Sequence, residues 1–183
     1  MIMIRVRAPV KSVAFALLLA AGAAQNPPDQ IPINTPYVQT PDHVVSAMLK
    51  LARITKGDTI YDLGCGDGRI VIQAAKEYGA HGVGIDINPE RIREARANAQ
   101  KGGVDSLVKF ELNDLFDADI HGATVVALYL LPDANLRLRP KLLNDLKPGT
   151  RVVSHDFGMG DWKPEKTEIF RGSRIHLWTI PAR

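Results

Sequence analysis

From residue 40 onward, short apolar runs alternate with stretches whose apolar positions recur at helical spacing. Thr59–Leu63, His81–Asp86, Val108–Leu112, Thr124–Leu130 and Arg151–Ser154 predict five strands. The fourth is a continuous apolar run, as a strand buried on both faces requires. Between them lie predicted helices. Val44, Val45, Met48, Leu49 and Ala52 share one helical face behind Thr40-Pro41-Asp42, where proline suits the first turn and aspartate its positive end. Lys56-Gly57-Asp58 closes this helix and turns it into the first strand. Arg69–Tyr78 is a second helix with Gly79 as its stop. Asn88-Pro89-Glu90 opens a third, running to about Lys101, and Asp133–Asp145 forms a fourth. Two last strands, near Thr167–Phe170 and Arg174–Thr179, flank Arg171-Gly172-Ser173, a hairpin signal. Strand and helix alternating over five units before a closing hairpin predict a doubly wound α/β fold. Its sheet is mostly parallel and seven-stranded, with an antiparallel C-terminal hairpin.

The start of the chain follows another pattern. Residues 1–24 open with Arg5, Arg7 and Lys11, continue in the apolar run Val13–Ala21 and end in Gly22-Ala23-Ala24. That is the layout of a secretory signal peptide, with cleavage expected after Ala23 or Ala24. The 12 residues from Val13 to Ala24 fall short of the roughly 20 that a membrane-spanning helix needs. Export to the periplasm is therefore expected, with a membrane-anchored or cytoplasmic protein as alternatives and membrane contact through this segment only. Residues 25–41 carry prolines 27, 28, 32, 36 and 41 and read as an extended lead. Residues 42–183 are expected to form one domain. The formal charge of +3 belongs to the leader: without Arg5, Arg7 and Lys11, 20 basic residues face 20 acidic ones. Such a body carries no electrostatic footprint for nucleic acid. A single cysteine, Cys65, rules out an internal disulfide and a cysteine-based zinc cluster. The five histidines show no ligand spacing, so no metal is expected.

Candidate chemistry concentrates in Ile60-Tyr61-Asp62-Leu63-Gly64-Cys65-Gly66-Asp67-Gly68-Arg69. A strand runs into an acid, a glycine-rich turn and a helix, the first turn of a nucleotide-binding α/β fold. The spacing is G-x-G-x-G, and Arg69 stands where a dinucleotide fingerprint would place its third glycine. Asp62 and Asp67 would repel a pyrophosphate but favour a cationic, zwitterionic ligand. Ligands of such sheets lie outside the carboxyl ends of the strands, which makes Asp86, Asn113, Asp114 and Tyr129–Pro132 the further candidates.

The string D-L-G-C-G-D-G-R resembles the cofactor loop of the class I S-adenosylmethionine-dependent methyltransferases, which share a Rossmann-like fold. Tyr37-Val38-Gln39-Thr40-Pro41 is similar to the lead of one subgroup. These are the seven-β-strand protein-lysine methyltransferases related to the non-SET histone enzymes and to the small ATP-synthase c-subunit lysine methyltransferases. The likeness runs from about Tyr37 to the C-terminus. It implies an S-adenosylmethionine-dependent transfer of methyl to a protein lysine; a small-molecule acceptor or a non-catalytic cofactor-binding module is the alternative. It further implies that Tyr37 and Thr40 fold over the cofactor, that Asp62, Gly64, Cys65 and Gly66 meet its amino-acid part, that Asp86 with Ile87 holds the ribose, and that Asn113 and Asp114 meet the adenine. Tyr129 would border the transferred methyl. Two departures stand out. Tyr129-Leu130-Leu131-Pro132 replaces the N/D-P-P-Y motif of amino-methylating enzymes, and Gln39 stands where the small family has proline.

An acceptor lysine must lose a proton before it attacks, and an apolar channel favours that loss without a dedicated base. Tyr37, Tyr129 and Trp162, with Phe157, are the candidates for lining it. His155-Asp156, the His-Asp pair near the rim, reads as a structural or solvent pair, because neighbours on a strand end point apart, with a base or orienter as the alternative. The oligomeric state is left open.

Overall fold

The computed structural model describes residues 37–183; the expected signal segment and residues 25–36 of the lead lie outside the described residues. The helices are α1 (Asp42–Leu51), α2 (Arg69–Tyr78), α3 (Pro89–Gly102) and α4 (Pro132–Asp145). The strands are β1 (Thr59–Leu63), β2 (His81–Asp86), β3 (Val108–Leu112), β4 (Val125–Leu128), β5 (Arg151–His155), β6 (Lys166–Phe170) and β7 (Ser173–Thr179). All seven strands join one sheet in the order β3-β2-β1-β4-β5-β7-β6. β1 to β5 are mutually parallel, and β7 runs antiparallel between β5 and β6. This is the mostly parallel sheet with an antiparallel C-terminal hairpin that the pattern predicts. Among the described residues no helix is long and apolar enough to cross a membrane.

Two cores sandwich the sheet. On one face Val44, Val45, Met48 and Leu49 of α1 pack with Ile70, Val71 and Ala74 of α2 and Ile92, Ala95 and Ala99 of α3. On the other, Leu138 and Leu142 of α4 pack with Leu63, Ile85, Leu128 and Trp178. Helix ends follow local chemistry. Asn88 caps α3 through its side chain, accepting from Glu90 N–H at 2.8 Å, and Gly79 and Gly103 end α2 and α3 in the left-handed conformation. Gly68 opens α2 at φ +79°, where an added Cβ would lie 2.7 Å from the Phe110 ring. Glycine thus lets the loop sit directly on β3.

The structure departs from the sequence pattern at the ends of β4 and α1. β4 stops at Leu128, because its neighbour β1 ends at the paired Leu63 and turns away into the glycine loop. Tyr129 and Leu130, left without a partner strand on that side, peel toward the rim. α1 stops at Leu51, and Arg53 takes φ +53° beyond it. No helix links β3 to β4; turns anchored on Asp114 run there instead and bury Ala118 and Ile120 against the α4 face. The strand order reverses beside β1, between β2 and β4, which is where such sheets bind ligands.

Candidate active site

Beyond Leu63 the chain leaves the sheet and is at once hung on β2. Gly64 and Cys65 N–H both donate to the Ile85 carbonyl, at 2.8 and 2.9 Å. Gly66 N–H donates to Asp86 Oδ2 at 2.8 Å, and Asn88 N–H donates to Asp86 Oδ1 at 2.9 Å. One carboxylate at the end of β2 therefore sets both the glycine loop and the start of α3, and each oxygen keeps acceptor capacity toward a ligand. Asp62, beneath the loop, is 2% exposed. Burial, and then the charges of Asp86 and Asp67, push its pKa up to about 8. An arriving cation would favour its ionised form and release the proton.

Asp67 has a different task. Its carboxylate accepts Arg69 Nε at 3.0 Å and Arg69 Nη2 at 2.7 Å, a two-pronged pair. Burial works against its ionisation, but the Arg69 bonds hold its pKa below the ordinary carboxylate value. Arg69 Nη1 reaches back to the Thr40 carbonyl at 2.9 Å, and Gln39 Nε2 donates to Asp67 Oδ2 at 3.2 Å. Asp67 lines the cavity under Tyr37 with its charge partnered by Arg69, and together they clip the lead onto the loop.

Tyr37 completes that clip. Its hydroxyl accepts Asp67 N–H at 3.3 Å, and the Arg91 guanidinium lies 4.7 Å from its ring centre. The ring rests on Gly66. A cavity bounded by Tyr37, Thr40, Asp62, Gly64, Cys65 and Tyr129 encloses about 30 Å³ under this cover, space for about one water.

Opposite the loop, Tyr129 stacks on His155 with ring centres 4.0 Å apart and faces Phe157 at 6.2 Å. His155 is 2% exposed; its Nδ1 meets Thr40 Oγ1 at 3.2 Å and its Nε2 meets Ser173 Oγ at 3.1 Å. Asp156 takes φ +60° and closes a three-residue turn in which Phe157 N–H donates to the His155 carbonyl at 2.7 Å. That positive-φ form of the γ-turn is strained and uncommon. It swings the Asp156 carboxylate back to 3.4 Å from His155 Nε2, so the two neighbours do not point apart as expected.

The structure thus brings Tyr37, Thr40, Asp62, Gly64, Cys65 and Tyr129 around one cavity, with Gly66 and Asp86 bonded at its edge. Ile87 follows Asp86, half-buried. Asn113 N–H donates to the Asp86 carbonyl at 3.1 Å, and Asp114 Oδ1 accepts Phe116 N–H at 2.9 Å, so both stand on the same rim beside β2. Trp162 does not join them. Its ring lies 5.8 Å from that of Trp178, whose Nε1 donates to its carbonyl at 2.9 Å, and it packs with the α4-side core. A short bridge from Met159 to Trp162 turns the chain there, which corrects its expected place at the acceptor opening. Sequence reasoning missed the roles of Arg69 and Gln39; the arginine in the third-glycine position was the available signal. Among the described residues no cluster is arranged to hold a metal ion.

A family model described as the ANTKMT methyltransferase domain matches residues 62–166. The chain belongs to this methyltransferase family. A protein-lysine N-methyltransferase of Saccharolobus islandicus (strain REY15A) is 50% identical over 134 residues, 73% of this chain and 83% of that protein. The ATP-synthase c-subunit lysine N-methyltransferase of Xenopus laevis is 33% identical over 144 residues, which are 79% of this chain and 62% of that protein. Among solved structures, one described as an RNA methyltransferase from Salinibacter ruber in complex with S-adenosyl-L-homocysteine shares 55% identity. It has a TM-score of 0.79, with 80% of this chain and 95% of that chain covered. The methyltransferase domain so defined contains the whole glycine loop and β2 rim but begins after Tyr37 and Thr40, so the cover comes from residues ahead of the matched segment.

Proposed function

We propose that this methyltransferase moves the methyl group of S-adenosylmethionine onto the amine of a protein lysine by in-line displacement. The donor, once bound, supplies an already activated methyl on a sulfonium sulfur. The residues fit it: a glycine cradle for close approach, a buried carboxyl at Asp62 for a cation, and Asp86 with acceptor capacity for ribose hydroxyls. The protein's own contribution is orientation and the exclusion of water beneath Tyr37.

The observation that carries the choice of acceptor is the charge of the rim. Asp86, Asp114 and Asp156 stand at or just beyond the ends of β2, β3 and β5. Arg69 and Arg91 are each paired with an acid, Asp67 at 2.7 Å and Glu94 at 2.6 Å. Such a rim draws a cationic amine and repels a phosphate backbone. The Tyr129–Phe157 wall suits the apolar stem of a lysine. The names of the Saccharolobus and Xenopus relatives support the same acceptor; the description of the Salinibacter protein supports RNA, which the acid rim opposes.

Labelled S-adenosylmethionine added to the purified protein with an extract of its native host tests the reading. Label recovered as N-methyl-lysine is the expected result. Label lost to ribonuclease would move the function to RNA, label confined to metabolites would move it to small molecules, and binding without transfer would leave a binding module. We also propose that residues 1–24 direct export, supported by their three-part layout. A mature N-terminus at Ala24 or Gln25 by mass spectrometry is expected; one at Met1 or Met3 in a cytosolic fraction would defeat it.

A further inference from the structure

We propose that Thr40, His155 and Asp156 form a proton relay that deprotonates the acceptor amine, with Thr40 touching the amine and His155 acting through it as a positioning and relay group. The inference rests on the lysine reading above.

Thr40 lines the cofactor cavity beside Tyr129 and is 4% exposed. Its hydroxyl lies 3.2 Å from His155 Nδ1, a contact made across 115 residues of chain. On the far side of the ring, Nε2 faces Ser173 Oγ at 3.1 Å and Asp156 Oδ2 at 3.4 Å. Arg174 N–H holds Asp156 Oδ1 at 2.8 Å, which leaves Oδ2 for the imidazole. The Asp156 side chain is 36% exposed, against 3% for His155, so the row runs from a buried ring to solvent. A left-handed aspartate persists only where its surroundings over-determine it, and such strain gathers at functional sites.

Around His155 the groups that bear on its protonation are the Thr40 hydroxyl from the lead, the Tyr129 phenol beyond β4, the Ser173 hydroxyl of β7 and the Asp156 carboxylate. Asp156 alone among these is charged. Burial lowers the His155 pKa, and Asp156 opposes that fall, so the ring is a neutral base near pH 7. With its proton on Nε2, Nδ1 accepts the Thr40 hydroxyl, and a Thr40 lone pair is free for a substrate ammonium.

In the step, an ammonium proton passes to Thr40 Oγ1 as the Thr40 hydroxyl proton passes to His155 Nδ1. The freed amine lone pair forms the N–C bond, and the C–S bond breaks with its electrons going to sulfur. The products are a methylammonium, a neutral thioether and a His155 imidazolium. The imidazolium then yields its Nε2 proton through Asp156 to water. Once product leaves, Nε2 recovers a proton by the same path as the Nδ1 proton passes out through Thr40, which restores the starting tautomer.

Nitrogen-15 NMR of the histidine rings, assigned with His155→Gln, tests the arrangement without any acceptor. In the protein saturated with S-adenosylhomocysteine, a bare Nδ1 whose signal moves in Thr40→Val is expected. A proton on Nδ1 would make His155 a mere donor to Thr40 and overturn the relay. Single-turnover methylation of poly-L-lysine supplies the second arm. At pH 7 Thr40→Val and His155→Gln should each slow transfer by about 10²-fold. The deficit should shrink toward nothing near pH 10, where lysine sheds its proton unaided. A loss constant with pH would also overturn the relay. If the wild-type protein modifies no lysine at any pH, the lysine reading fails instead, and the NMR result still decides the hydrogen-bond direction.

Discussion

The ring of Tyr37 rests on the backbone of Gly66 so closely that a Cβ there would come within 2.2 Å of Tyr37 Cε2. Cover and cradle are in direct contact. Gly66→Ala adds that atom at φ +53°, where an L side chain costs about 1 kcal/mol or more. S-adenosylhomocysteine should then bind at least about tenfold more weakly by calorimetry, a loss of about 1.4 kcal/mol. Tyr37→Ala should instead speed both association and dissociation in stopped-flow measurements. Unchanged rates would show that the ring does not gate the pocket.

Asp62 couples the same pocket to pH. Its folded pKa of about 8 stands above the ordinary acid value of 3.8, so the folded protein holds a proton that the unfolded chain releases. Stability of the ligand-free protein should therefore fall as pH rises between about 4 and about 8, and Asp62→Asn should flatten that slope in urea unfolding. A cation bound beside Asp62 expels the proton. Calorimetry of S-adenosylmethionine below pH 8, in buffers of different ionisation heat, should show proton release in the wild type and not in Asp62→Asn.

Asp86→Ala removes the acceptor of both Gly66 N–H and Asn88 N–H. Cofactor affinity should drop by about 1.5–3 kcal/mol, the scale of hydrogen bonds to a charged group. Titration of the folded variant checks this, and wild-type affinity would dismiss Asp86 as a ligand group.

Trp162→Ala should act on stability and not on chemistry. The lost packing on Trp178 predicts destabilisation of about 2–4 kcal/mol in denaturant unfolding, near the lower range for buried aromatic truncations because the ring is only partly buried. Methyl transfer per folded molecule should stay close to wild type. A large fall in turnover at unchanged stability would return Trp162 to the acceptor opening.

These contrasts show which parts of the site are legible in sequence. The passage from β1 through the glycine loop into α2 is written in adjacent residues: an apolar run, three glycines, and an apolar face closed by Gly79. The end of β4 is not, because it depends on where β1 stops pairing, 65 residues earlier in the chain. Trp162 sits in a segment without periodicity, so its large apolar surface announces burial but not against what. Arg69 is visible as an anomaly in the loop, yet its partners Thr40 and Asp42 lie ahead of α2 by 29 and 27 residues. The return of Asp156 onto His155 turns on a left-handed backbone at a non-glycine residue, for which local sequence carries no dependable mark.

Thr40 is tied at both ends of one peptide unit and side chain, its carbonyl to Arg69 on the donor loop and its hydroxyl to His155 on the acceptor wall. The wall is therefore whole only while the lead is seated, and the lead seats on the loop that grips the donor. Lifting the lead to admit a nucleoside takes Thr40 away from His155 as well. Catalysis built this way is expected to run in sequence, donor first, then lead, then acceptor, an order that product-inhibition kinetics would check. The spent thioether leaves last, after the methylated chain has withdrawn.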